Sequence, residues 1–500
     1  MIVAASLGHS LSRAGLLLDA LLAAAALLAA GRARRCAVAA AIVLTPLLLA
    51  GALWKSSQLL HLRHHPALAV AGIAAALALV GGLAVLYRGR PQLLALCAVI
   101  ALPFRFSLLS GGTGGVLLIL YAVIGAGAVA LVLWGEREAQ PAAGWLERAI
   151  AAFVVLYAIQ ALYTPDPAKA AQELCFFYVP FSLLFVMLRG VRWDRALLTR
   201  CVYALAGLAL VFVAVAAVEY ASRRLLFHPS LNGNARYFRV NSLFYDPNIY
   251  GRFLALTMVL IATALMWESR LRWVAVSAAI LAVLWLGLLA SVSQSSILAL
   301  LAGLAVVAAA RLPPRVSAAG AAVVVAVVVI VAVAASGRLH LNLTADNTTG
   351  GRASLVKEGA DIFAQRPLAG YGSGSFSCEY LRRSAPAYRC GAPGPAGVTS
   401  DSHTTPITIA AEQGVLGLLA YLALLIAAVL ALARGGLRSA PVRVAILAAF
   451  VGLVVHTWAY ADFLEDPIAW ALLAVGAVLA HSPRGSGEAG PAGEAGAAGV

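Results

Sequence analysis

Three polar segments stand out in a chain otherwise dominated by Ala, Leu and Val, and each carries residues that could do chemistry. The first runs from Arg239 through Asp246-Pro247-Asn248 to Arg252. Asp246 fits a helix N-cap and Pro247 the first helical position, so capping accounts for the Asp-Pro pair. It does not account for Arg239 just before an apolar helix, or for Arg252 inside its first turn, because a cation there opposes the helix dipole. A bound anion would reverse that sign. Arginine suits phosphate because its planar fork grips two oxygens at once. Arg236, Asn248 and Arg252 therefore join Arg239 as candidate contacts to an anionic substrate.

The second segment opens at Arg352. Ala353, Val356, Ala360 and Phe363 share helical spacing, which predicts a helix near 353–364. Pro367 ends it, and Gly370, Gly372 and Gly374 follow. The glycine string lacks the Gly-Lys-Ser/Thr ending of a phosphate loop and follows a helix, which excludes nucleotide binding. Its expected role is tight turning at the membrane surface. The third segment runs from Asp401 and His403 to Glu412-Gln-Gly414-Val-Leu-Gly417. A lone histidine is more often structural than catalytic. Here it stands beside a carboxylate where the chain re-enters the membrane, and a carboxylate partner raises its basicity.

The elements that must position these residues are membrane helices. The chain has 500 residues, 62% hydrophobic and 11% charged. One soluble core cannot bury that much apolar surface. Aromatics are 8%, and the long Ala, Leu and Val runs are helical rather than the alternating strands of an outer-membrane barrel. The fold class is all-α: a polytopic integral membrane protein with about 12–15 transmembrane helices. The runs at 92–104, 297–310 and 467–481 are short for a span. Residues 1–335 hold transmembrane helices with an outer loop at 220–248. Residues 336–405 form a large extracytoplasmic loop, 406–481 the C-terminal transmembrane helices and 482–500 a disordered Gly/Ala/Pro/Glu tail.

The net charge of +15 reads as the positive-inside bias, not as a nucleic-acid partner. Loops at 31–35, 87–92, 135–148, 189–200, 268–272, 311–315 and 434–443, with the tail, hold nineteen Lys and Arg. The opposite short segments hold only Arg13, Lys55, Arg63, Arg105 and Lys169. That contrast puts the N-terminus outside, the C-terminus inside and all three polar segments outside. Of six scattered cysteines, Cys378 and Cys390 share the large outer loop, where a disulfide is expected. There is no CxxC, DxD or His/carboxylate cluster at metal spacing, so no cofactor and no metal are implied.

Taken in order, the three segments resemble the O-antigen ligase and O-antigen polymerase family of bacterial envelope enzymes. The matches are Arg239 with Pro247-Asn248, then Arg352 with Pro367-Leu-Ala-Gly370-Tyr-Gly372, then His403 with Glu412-Gln-Gly414-Val-Leu-Gly417. The close resemblance covers roughly residues 235–420. The chain departs in having Thr404 where the family often has Asn, and no Arg in Ser291-Val-Ser293-Gln294-Ser295.

The resemblance implies a multi-pass protein of the bacterial cytoplasmic membrane, acting at its outer face. The donor would be a glycan linked to undecaprenyl diphosphate, and the acceptor a glycan or lipid-glycan hydroxyl, with membrane lipids around both. Arg239 and Arg352 would stabilise the departing diphosphate, His403 would take the acceptor proton and Asp401 would orient it. Ligase is the leading reading and polymerase of the same family the alternative. A transporter of lipid-linked sugars fits less well, because few charges lie mid-membrane.

Overall fold

The computed structural model describes residues 2–54, 60, 64–104, 117–135, 140, 142–227, 238–313, 315, 352–391, 401–434, 437, 440–461 and 463–481. The apolar run expected at 316–335, the tail after 481 and Arg236 lie outside the described residues. No strand occurs among those described, and the fold is all-α. The helices are α1 (Ile2–Leu28), α2 (Gly31–Ala52), α3 (Pro66–Gly89), α4 (Gln92–Ala101), α5 (Leu118–Trp134), α6 (Trp145–Gln160) and α7 (Pro167–Arg189). Next come α8 (Arg195–Ser222), α9 (Pro247–Met266), α10 (Leu271–Ser291) and α11 (Gln294–Arg311). Two shorter helices, α12 (Arg352–Gln365) and α13 (Phe376–Ser384), precede α14 (Thr405–Ala433), α15 (Pro441–Trp458) and α16 (Pro467–His481). Nine helices among the described residues are long and apolar enough to cross a membrane, and three shorter apolar ones accompany them.

Local sequence sets where these helices start. Asp166, Asp194, Asp246 and Ser293 cap α7, α8, α9 and α11 through side-chain oxygens that accept free first-turn N–H groups. Proline occupies the first turn of α3, α7, α9, α14 and α15, where its missing N–H costs nothing. Burial then sorts the helices. Pro247 to Val259 of α9 are buried without interruption, so α9 is a central post. On α3, by contrast, Leu68, Val70, Ile73 and Leu77 are exposed, as on a lipid-facing helix whose backbone polar groups are already paired.

The two ends of the bundle differ. At one end the basic loops meet: Arg88 lies 5.3 Å over the Trp134 ring, Arg311 lies 5.6 Å over Trp267, and Gln92 donates to Asp194 at 2.9 Å. The buried Arg189–Glu147 pair, 3.1 Å, closes that end. The three polar segments gather at the other end.

Two carboxylates fix the backbone there. Glu219, fully buried near the end of α8, accepts from the N–H groups of Leu226 (3.0 Å), Asn241 (3.2 Å) and Ser242 (2.8 Å). This anchors the strand of chain that carries Arg239. Glu412 of α14 accepts from the N–H groups of Gly374 and Phe376, both at 2.9 Å. Opposite it, α14 breaks at Gly414, whose φ is 66° and ψ −162°. The break frees N–H groups that pair across the gap: Val415 N–H donates to Pro367 O at 2.7 Å and Leu416 N–H to Leu368 O at 3.3 Å. In return Gly372 N–H donates to Glu412 O at 2.7 Å. The glycine-rich turn and the Glu-x-Gly segment are thus two halves of one interlock.

Sequence alone assigned the glycines to turning; the structure adds close approach. A Cβ on Gly370, at φ +65°, would lie 2.2 Å from Glu412 O. Gly370→Ala should therefore combine left-handed strain, about 1–2 kcal/mol, with overpacking, about 1–3 kcal/mol. Gly391 is the control: its φ is +79°, but an added Cβ meets nothing within 4 Å. Thermal unfolding in detergent should show Gly370→Ala well below Gly391→Ala. Equal losses would refute the interlock.

Candidate functional site

Arg239 is half-buried, and two of its guanidinium nitrogens are fixed by oxygen atoms. Its Nε donates to Ser291 O at 3.0 Å and its Nη2 to Asn248 Oδ1 at 2.9 Å. Asn248 stands on the first turn of α9 because Asp246 caps that helix, accepting from its N–H at 2.6 Å. The same Asn248 Oδ1 also accepts from Ser293 Oγ at 2.9 Å, and Asn248 O accepts from Ser296 Oγ at 3.2 Å. From there the polar contacts enter the bundle. Ser295 Oγ and Ser296 Oγ lie 3.2 Å and 3.3 Å from Nε2 of His456, a fully buried residue of α15. The His456 ring meets Tyr460 edge-on at 5.6 Å, and the other side of the contact chain is His403, stacked on Tyr460 at 5.5 Å. Arg239 and His403, far apart in sequence, are thus joined through Asn248, two serines, His456 and Tyr460.

His403 has a φ of 54°, one of four non-glycine residues with positive φ among those described. Its backbone N–H donates to Asp401 Oδ1 at 2.7 Å, and this short-range turn sets the conformation. The ring Nδ1 lies 3.5 Å from the same Oδ1. That distance is long for a full hydrogen bond. The side chain is 25% exposed, so the ring is open to a substrate.

Arg252, expected to contact an anionic substrate, is buried in an ion pair with Asp466, 2.6 Å apart, the two side chains 1% and 3% exposed. An anion for this cation near the start of α9 is present, and it belongs to the protein. Asp466 also caps α16, accepting from Ile468 N–H at 2.8 Å, so the pair ties α9 to the C-terminal helix.

Arg352 is the first residue of α12; its side chain lies outside the described residues. Gly359 brings α12 against α14, an added Cβ lying 2.5 Å from Ile407 Cγ2. Cys378 and Cys390 are joined by a disulfide, Cα–Cα 5.3 Å. Among the described residues, the one His/Cys/Asp/Glu group close enough to share an ion is Cys378–Glu379–Cys390, whose two sulfurs are already bonded to each other.

Beside Asp401 a cleft opens between α7, the start of α14 and the loop before α16. Asp401 forms part of its wall, with Lys169, Glu173, Thr405 and Glu465. Lys169 Nζ lies 3.0 Å from Glu173 Oε1, and Tyr157 OH donates to the other Glu173 oxygen. Just outside α7, burial pushes the Asp166 carboxyl above its ordinary value, against the opposing pull of the Lys169 N–H and ammonium.

Fold and site together define a polytopic helical membrane protein with a polar centre built at one end of its bundle. Residues 279–422 match the family model described as O-antigen ligase. The matched stretch takes in the serine cluster, α12, the glycine-rich turn, His403 and Glu412, while Arg239 and Asn248 precede it. No curated protein matches the chain.

Proposed function

We propose that the protein transfers a glycan from undecaprenyl diphosphate to an acceptor hydroxyl at the outer face of the bacterial cytoplasmic membrane, as a ligase. The observation that carries this reading is the continuous line of contacts from the Arg239 guanidinium to the His403 imidazole, at the bundle end opposite the basic loops. Positive-inside logic puts that end outside. The acceptor oxygen attacks the anomeric carbon and the bond from that carbon to the diphosphate breaks. The diphosphate leaves with the electron pair and is stabilised by Arg239, with Arg352 as the second candidate. The acceptor proton passes to the His403 nitrogen facing away from Asp401, and Asp401 steadies the imidazolium. The donor ester is already activated, so ATP is not consumed.

The test is purified protein with a lipid-diphosphate glycan and candidate acceptors, read by product mass. One glycan added per acceptor supports the ligase, and a ladder of lengthened lipid-linked chains supports the polymerase of the same family. Protein that binds the donor yet yields no glycosylated product with any acceptor would exclude both.

A further inference from the structure

We infer that the cleft beside Asp401 is a subsite for a neutral sugar of the acceptor. This rests on the transfer reading above and adds to it the place where the acceptor binds. Three observations carry it.

The first is position. The contacts run from Arg239 through Asn248, Ser296, His456 and Tyr460 to His403, then to Asp401, which forms part of the cleft wall. Along this line of contacts His403 comes between the arginine and the cleft. In a displacement the leaving diphosphate and the attacking hydroxyl lie on opposite sides of the reacting carbon, so the arginine side takes the donor and the cleft side the acceptor.

The second is chemistry. A phosphate would meet Glu173, Glu412, Glu465 and Asp401 around a single Lys169, so repulsion outweighs attraction. A divalent cation would meet an ammonium, and its carboxylates are already engaged. Glu173 holds Lys169 and Tyr157, while Glu412 holds the N–H groups of Gly374 and Phe376. What the wall offers is a mixture of donors and acceptors. Lys169 has three N–H donors and Thr405 a hydroxyl, beside the carboxylates. A sugar hydroxyl both donates and accepts, and such a wall matches it.

The third is unmet hydrogen bonding. Thr405 Oγ1 belongs to a buried residue of the cleft wall and has no hydrogen-bond partner within the protein. Buried polar atoms are rarely left so, and a sugar hydroxyl bound there would satisfy it.

The experiment uses the full chain in nanodiscs. Probes are methyl glycosides of neutral hexoses and N-acetylhexosamines, the matching sugar 1-phosphates, and undecaprenyl diphosphate. A neutral glycoside should bind the wild type, and its 1-phosphate more weakly. Glu465→Gln should weaken that glycoside about tenfold by removing the charge that strengthens its hydrogen bond, and Thr405→Val about three- to tenfold by removing one hydrogen bond. Both variants should bind undecaprenyl diphosphate within about twofold of wild type, and in transfer assays should raise the acceptor KM rather than the donor KM. The subsite is overturned if no neutral glycoside binds the wild type, if both variants keep wild-type glycoside affinity, or if Mg²⁺ or Ca²⁺ binds the cleft and competes with the sugar. Failure of undecaprenyl diphosphate to bind would instead strike the transfer reading, and glycoside binding lost in the two variants would still uphold the subsite.

Discussion

Replacing His403 by Asn is expected to lower glycan transfer about 10²–10⁴-fold while the protein still folds. The backbone explains why Asn is the sharper choice than Ala. His403 sits at φ 54°, a region where Asn is tolerated and Ala pays about 1–2 kcal/mol. The His403 N–H donates to Asp401 Oδ1 through the main chain, so Asn keeps that turn. What Asn removes is the basic nitrogen, together with the ring that stacks on Tyr460 at 5.5 Å. Binding of the lipid diphosphate should be near normal, since the arginine that faces it is held by other groups. A rival reading makes His403 a packing residue at the start of α14. It predicts near-normal transfer for a well-folded His403→Asn protein, and that result would rule out the base.

Local pattern was legible in the sequence, and contacts between distant segments were not. The helix expected near 353–364 is α12, Arg352–Gln365, because caps and periodicity are properties of a short stretch. The helix Pro167–Arg189 begins with a polar first turn capped by Asp166, which an apolar run in the sequence does not mark. The charge of Arg252 pointed to an anion, but Asp466 caps a helix more than two hundred residues further along the chain and nothing local names it. His456 was overlooked for the same reason. It is a lone histidine on an apolar helix, and its partner Ser295 is 161 residues away. The available signal was that Ser293, Ser295, Ser296 and His456 interrupt apolar helices, and polar groups at membrane depth need partners. Glu412 was read as part of a motif without a task. Its task, holding the Gly374 and Phe376 N–H groups, exists only once the turn and α14 are brought together.

The two arginines of the first segment should separate cleanly when each is changed. Arg239 is anchored by Ser291 O and Asn248 Oδ1, so its plane is fixed before substrate arrives. Arg239→Lys keeps the charge and loses that fork. Transfer should fall about 10²-fold, and about 10³-fold in Arg239→Ala, the scale of losing a charge stabiliser in a transition state. Both proteins should reach the membrane in normal amounts, because Asn248 keeps the hydroxyls of Ser293 and Ser296. Arg252→Ala should instead leave Asp466 buried and unpaired, costing about 3–5 kcal/mol, and little folded protein should be recovered. That failure alone would not show that Arg252 is structural. The decisive protein is the double variant Arg252→Met with Asp466→Asn. It removes both charges, while the Asn oxygen can still cap α16 through Ile468 N–H. Yield should return toward wild type, and so should donor binding and transfer. A well-folded double variant that no longer binds the lipid diphosphate would show instead that Arg252 contacts the donor.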